Sequence, residues 1–194
     1  MNSQLNLSLV QVEASSHPEK NLDVAKGLAR EAAKEHSDLL VLPEMYMAVP
    51  EEGKAPSDYA QDIQGPFVTG LCDIASRNNI YLIAGIWESI ASVDLPGNTI
   101  VLISPRGELL SAYRKLHLFD ALNRRESDKM TYGSNLPDLF YINGFCLGLA
   151  ICYDLRFPEL FRMLTMKGAE VFILPSAWYK GEFKQKQWVT LLGA

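Results

Sequence analysis

Apolar residues recur along this chain in two rhythms. Leu5–Ala14, LNLSLVQVEA, alternates as a half-buried strand does. SHPEKNLDVAKGLAREAAKEH then changes to helical spacing, with Ser16 placed as N-cap, Pro18 in the first turn and Glu19 positioned for a capping box. DLLVLPE predicts a short strand broken by Pro43. A second helix is expected over Phe67–Asn78, followed by strands over Ile80–Trp87, Asn98–Ser104 and Leu109–Lys115. Pro105-Arg106-Gly107 joins the last two as a hairpin turn. A polar stretch, Asp120–Pro137, precedes a strand pair at Leu139–Ile142 and Phe145–Cys152. A helix over Glu159–Lys167, a strand in AEVFILPSAW and a helical pattern in EFKQKQWVTLL follow. SDLLVLPE and GAEVFILPS each come after a strand and a helix, a faint internal repeat. Strands alternating with helices, with hairpins among them, predict an α/β architecture with mixed sheets.

Composition narrows the function classes. The 194 residues are 48% hydrophobic and 21% charged, as expected of one soluble globular domain over 1–194. The net charge of −5 and the absence of a basic stripe argue against a nucleic-acid partner. No apolar run approaches the roughly 20 residues that cross a bilayer. MNSQLNLSLVQVEA lacks the positive start and unbroken apolar core of a signal peptide. Three cysteines, Cys72, Cys146 and Cys152, suit a reducing cytoplasm better than a disulfide framework. The expectation is a cytoplasmic protein acting on a small molecule, with no membrane partner.

Three predicted strands end in chemistry-bearing residues: LLVLPE in Glu44, LLSAYRK in Lys115 and LGLAIC in Cys152. Ligands of open α/β sheets gather at the carboxyl ends of strands. A carboxylate, an ammonium and a thiol brought together there form an acyl-transfer apparatus. Glu44 can act as base if burial raises its pKa toward neutrality, Lys115 can hold an oxyanion, and the backbone N–H of Tyr153 can supply a second oxyanion donor. Each residue also has an ordinary reading, as a solvated strand-end charge or a buried cysteine. The spacing by itself leaves both readings open. The chain has no C-x-x-C, G-x-S-x-G, G-x-x-x-x-G-K-[ST] or G-x-G-x-x-G.

LVLPEMY, YRKLHLFD and LAICYDLRFPEL, in that order, resemble the three signature segments of the nitrilase superfamily, the carbon–nitrogen hydrolases. The resemblance spans nearly the whole chain. It implies an αββα sandwich, a Glu44–Lys115–Cys152 triad working through a thioester, and no metal or cofactor. RRESDKMTYGS resembles the family segment that carries a second glutamate, which implies that role for Glu126. CYDLRFPEL and YRKLHLFD look most like the ω-amidase branch, which hydrolyses small carboxylate-bearing amides; N-carbamoyl amidases are not separated from it, and a nitrile is a weaker fit. Tyr46, Trp178 and Tyr179 are expected at the substrate pocket, with packing as the alternative; Asp154, Arg156 and Glu159 are expected to brace the nucleophile's turn or a subunit contact, and Arg156 has a second reading at the pocket, facing a substrate carboxylate. Family members usually continue past the helix represented here by QWVTLLGA, so the C-terminal part of the fold is expected to be lacking, with unpaired edges. The family also implies association into a dimer or higher homo-oligomer. Two rival readings stand beside the amidase: a non-catalytic binding or assembly subunit, and a thiol redox sensor at Cys152.

Overall fold

The computed structural model describes residues 4–193. Residues 1–3, part of the segment read above for a leader, and residue 194 lie outside it. Five strands form one sheet in the order β1 (Leu7–Leu9), β2 (Leu39–Val41), β3 (Tyr81–Glu88), β4 (Gly97–Ile103) and β5 (Leu109–Arg114). The first three run parallel, and β4 and β5 return antiparallel. A small hairpin, β6 (Asp120–Ala121) with β7 (Arg124–Arg125), leads to a second sheet of β8 (Leu139–Ile142), β9 (Phe145–Leu149) and β10 (Val171–Ile173), ordered β10-β9-β8. Four helices complete the chain: α1 (Pro18–Lys34), α2 (Pro66–Asn78), α3 (Pro158–Met166) and α4 (Lys184–Leu192).

Strand alternation decides the layering. On β2, β3 and β4, the side chains of Leu40, Leu82, Ala84, Ile86, Val101 and Ile103 pack with α1 and α2. The intervening Leu39, Val41, Ile83, Ile100 and Leu102 turn the other way and meet Leu147, Leu149 and Ile173 of the second sheet. The far face of that sheet carries Ala150 and packs on Leu160 and Leu164 of α3. The result is four layers, helix on sheet on sheet on helix. Each fully buried aliphatic side chain contributes about 1.5–3 kcal/mol to holding the layers together. On α1 the buried positions Asn21, Ala25, Ala29 and Ala32 fall on one stripe, and their small side chains let the helix lie close to the sheet. β1 and β10 are edge strands of their sheets, and Leu9 on β1 is 72% exposed. No described helix is long and apolar enough to cross a membrane.

Several local expectations need correction. The predicted capping box at Ser16 does not form. The N-cap is His17, with Pro18 opening the helix, and the Ser16 hydroxyl donates to Glu51. The first strand keeps only Leu7–Leu9 of the predicted ten-residue run, because an edge strand is ordered only as far as β2 accompanies it. β9 ends at Leu149 rather than at Cys152. The terminal helix buries no residue along its length.

Glycine at position 85 lets the segment after β2 cross β3. A Cβ there would lie 2.3 Å from the Met45 backbone nitrogen and 2.8 Å from Glu44 Cα. Met45 itself takes a left-handed backbone (φ 57°). Gly85→Ala is therefore expected to destabilise the protein by about 1–3 kcal/mol, the usual cost of overpacking a dense interior. Urea denaturation of the two proteins measures it.

Candidate active site

Lys115 follows β5 directly and lies two residues beyond Tyr113, so it shares Tyr113's face toward the second sheet. Its ammonium is fully buried and sits between two carboxylates, 3.0 Å from Glu44 Oε1 and 2.9 Å from Glu126 Oε2. Its carbonyl accepts from Gly133 N at 2.8 Å, where a Cβ on residue 133 would press to 2.3 Å from the Arg114 carbonyl oxygen. Glu126 opens a short 3-10 turn and also accepts from Phe119 N at 2.8 Å. Glu44 is held at both oxygens: Asn98 Nδ2 donates to Oε1 at 2.9 Å and Ala177 N to Oε2 at 2.7 Å.

Cys152 reaches this cluster from the second sheet. Past the end of β9, Ala150 N and Cys152 N still donate to Ile173 O and Pro175 O, at 3.0 and 3.1 Å. At Cys152 the backbone then turns left-handed (φ 42°) and enters a 3-10 helix over Cys152–Arg156. A non-glycine residue in that region costs on the order of 1–3 kcal/mol and persists only where its surroundings hold it. Asp154 does the holding. Fully buried, it accepts from Ile151 N (2.9 Å), Tyr113 Oη (2.8 Å) and His117 N (3.2 Å), and its Oδ1 lies 2.7 Å from His117 Nδ1. The turn that carries Cys152 is thereby tied to β5 and the residues just after it. His117 in turn stacks on Phe157, ring centroids 3.7 Å apart. The Tyr153 N–H, in the first turn of the 3-10 helix, has no protein acceptor among the described residues.

Electrostatics sets the resting proton positions. Burial alone would push the Glu44 carboxyl up, but the Lys115 charge, the Ala177 N–H and the Asn98 amide outweigh it and hold its pKa below the ordinary 4.5. The burial that the sequence made a condition for Glu44 as base is present, but its effect is outweighed by these donors. Burial also opposes the charge on Lys115, yet Glu44, Glu126 and Cys152 together raise its pKa above the ordinary 10.5. Burial drives the Cys152 thiol well above the ordinary 9.0; the Glu44 carboxylate adds to this, and Lys115 offsets part of it. The resting site therefore holds a carboxylate, an ammonium and a neutral thiol.

Glu44, Glu126 and Cys152 line a cavity of about 190 Å³. Its walls include Phe119, Tyr153, Arg156, Trp178 and Tyr179. Arg156 Nη2 donates to Gln187 at 2.9 Å, its guanidinium carbon lies 5.3 Å from the Trp178 ring centroid, and its buried Nε has no partner among the described residues. Tyr46 is not part of this wall. It is buried against the α1–α2 side of the first sheet, and its hydroxyl donates to Asn21 O at 2.8 Å, because the left-handed turn at Met45 sends it away from the cavity. Asn98, Phe119 and the Ala177 N–H went unread in the sequence. Asn98 alone left a signal, as an amide opening the mostly apolar run NTIVLI.

The profile of the family described as "Carbon-nitrogen hydrolase" matches residues 6–194. This chain belongs to the carbon–nitrogen hydrolase family. It is 35% identical over 188 residues to the deaminated glutathione amidase of Escherichia coli, covering 95% of this chain and 70% of that protein. Over 180 residues it is 34% identical to omega-amidase NIT2 of Bos taurus, covering 89% of this chain and 63% of the relative. The family member here thus spans about two thirds of these relatives' lengths. An amidase from Nesterenkonia sp. has the same fold, with a TM-score of 0.83 at 25% identity over 94% of this chain and 68% of that one. A glutamate-to-glutamine variant of the Nesterenkonia sp. AN1 amidase (TM-score 0.78, 26% identity, 93% and 70% coverage) shows acrylamide added to the active-site cysteine.

Replacing Lys115 by Met leaves two buried carboxylates without their shared cation. The expected cost is about 3–5 kcal/mol of stability near neutral pH. The deficit should shrink in acid: the depressed pKa of Glu44 makes its contribution present above 4.5 and lost as pH falls through the lower folded-state value. Chemical denaturation at several pH values checks both statements.

Proposed function

We propose that this carbon–nitrogen hydrolase is an amidase that cleaves a small carboxamide through a thioester on Cys152. The observation that carries the reading is the meeting of the Cys152 thiol and the Glu44 carboxylate at one cavity, with the Lys115 ammonium buried behind its wall, 3.0 Å from Glu44. Glu44 removes the thiol proton as sulfur bonds to the amide carbon, and the carbonyl electron pair moves onto oxygen. Lys115 and the free Tyr153 N–H stabilise that oxyanion. As the C–N bond breaks, Glu44 returns the proton to the departing ammonia. Water then attacks the thioester with Glu44 as base, the C–S bond breaks, and Cys152 recovers its proton while the acid leaves. Lys115 keeps its charge throughout, because both carboxylates favour the ammonium; it acts as a fixed charge anchored by Glu126.

The substrate class in this reading is a small amide with a carboxylate at its other end. Arg156 supplies a cation on the cavity wall, fixed between Gln187 and Trp178. The relatives named omega-amidase and deaminated glutathione amidase support it.

Cys152→Ala is expected to abolish amide hydrolysis with an unchanged circular dichroism spectrum. Glu44→Gln should lower kcat/KM by about 10²–10⁴-fold, the usual worth of a general acid–base. The pH profile carries a sign. With Glu44 below its ordinary 4.5 and the thiol above its ordinary 9.0, kcat/KM should stay level between those values. An acid limb near neutrality, or turnover by the alanine variant, contradicts the scheme.

A further inference from the structure

Asn98 joins two members of the site without lining its cavity. It lies in the fully buried β4, its carbonyl accepts from Lys115 N at 2.9 Å, and its side-chain amide donates to Glu44. Because a carboxylate only accepts, the contact to Glu44 fixes the amide's orientation: Nδ2 faces Oε1, and Oδ1 points away with no partner among the described residues. An unpaired buried carbonyl carries a desolvation cost that a leucine would avoid. Packing alone therefore does not account for an amide here.

The donors on Glu44 are distributed unequally. Each carboxylate oxygen has two lone-pair directions. Oε1 receives two donors, Lys115 Nζ at 3.0 Å and Asn98 Nδ2 at 2.9 Å. Oε2 receives one, Ala177 N at 2.7 Å. We propose that Asn98 is a positioning residue for Glu44: with Lys115 it fills Oε1, leaving Oε2 as the oxygen that exchanges a proton with Cys152. In that step the S–H proton passes to Oε2 as the S–C bond forms, and the same oxygen releases it to the leaving nitrogen. The Asn98 bond to Oε1 persists when Oε2 is protonated but is stronger to the carboxylate, so it also favours the charged form that the cycle starts from. The other charged or titratable groups facing Glu44 are Lys115 from the end of β5 and Cys152 from the 3-10 turn, with Glu126 beyond Lys115.

The proposal rests on Glu44 being the base, and its test separates the two ideas. Asn98→Leu keeps the branched shape, with somewhat larger methyl groups, and removes the donor; Asn98→Ala serves if the leucine variant does not fold. Either substitution should move the acid limb of kcat/KM upward by about 1–2 pH units, the scale of a hydrogen bond to a charged group. Urea denaturation reads the same coupling without turnover. Glu44 in the variant has the higher folded-state pKa, so the stability deficit should be full near neutral pH and shrink as pH falls through the variant's and then the wild-type value. An unmoved acid limb together with a pH-independent deficit overturns the positioning role, leaving Asn98 a packing residue in an active amidase. If instead wild-type protein hydrolyses no amide but the deficit still titrates, the amidase reading fails while the Asn98–Glu44 coupling stands.

Discussion

One buried ammonium organises this molecule's chemistry. Lys115 has no access to solvent, and its charge is compatible with the interior only because Glu44 and Glu126 flank it at 3.0 and 2.9 Å. Two carboxylates around one cation leave an excess negative charge, and the structure distributes it over donors that cannot move far: the backbone N–H groups of Ala177 and Phe119 and the amide of Asn98. A buried ion cluster of this kind is a poor source of stability compared with apolar packing. Its value lies in fixing where charge and proton reside before a substrate arrives. Glu44 is held toward its ionised form and the Cys152 thiol toward its protonated one; in the proposed reaction the thiol loses its proton only as it attacks.

The fold supplies that cluster by meeting at strand ends. Glu44 comes from the segment after β2, carried across β3 at Gly85. Lys115 comes from the end of β5, and Cys152 from the opposite sheet. The apolar contact between the two sheets brings these ends within reach, and Asp154 ties the nucleophile's turn back to Tyr113 and His117. The left-handed backbone at Cys152 is the local strain that this clamp holds, and it points the thiol out of the ladder and toward Glu44. Packing and chemistry thus share residues. Tyr113 fills the inter-sheet core with its ring and steadies the catalytic turn with its hydroxyl.

Much of this was legible in the chain, and the failures have physical causes. Apolar periodicity located α1, α2, α3 and the longer strands, because each buries one continuous stripe or face; α4 was legible from its helical pattern although it buries no residue. Periodicity overran β1 and β10, since an edge strand extends only while its single neighbour does. The motifs around Glu44, Lys115 and Cys152 pointed to residues that the structure brings together, and Glu126 joins them through Lys115. Tyr46, expected at the pocket from its place just past a strand end, takes the packing alternative instead, beside a left-handed Met45. The direction of Glu44's shift was not legible for a different reason. Burial is visible in an apolar run, whereas three donors arriving from β4, the end of β5 and the segment after β10 are visible only in three dimensions. Asn98 shows the same limit, a polar letter in a buried strand whose partner lies 54 positions away.

The claim that this cluster activates Cys152 for acyl transfer is tested most directly by trapping the acyl-enzyme. The protein is mixed with a small carboxylate-bearing amide, quenched in acid within the first turnover, and examined by intact mass and peptide mapping. The account predicts an added acyl group on Cys152 that hydroxylamine removes as the hydroxamate, with Cys72 and Cys146 unmodified. Release of acid and ammonia with no adduct at any quench time, or an acyl group carried on another residue, would contradict it.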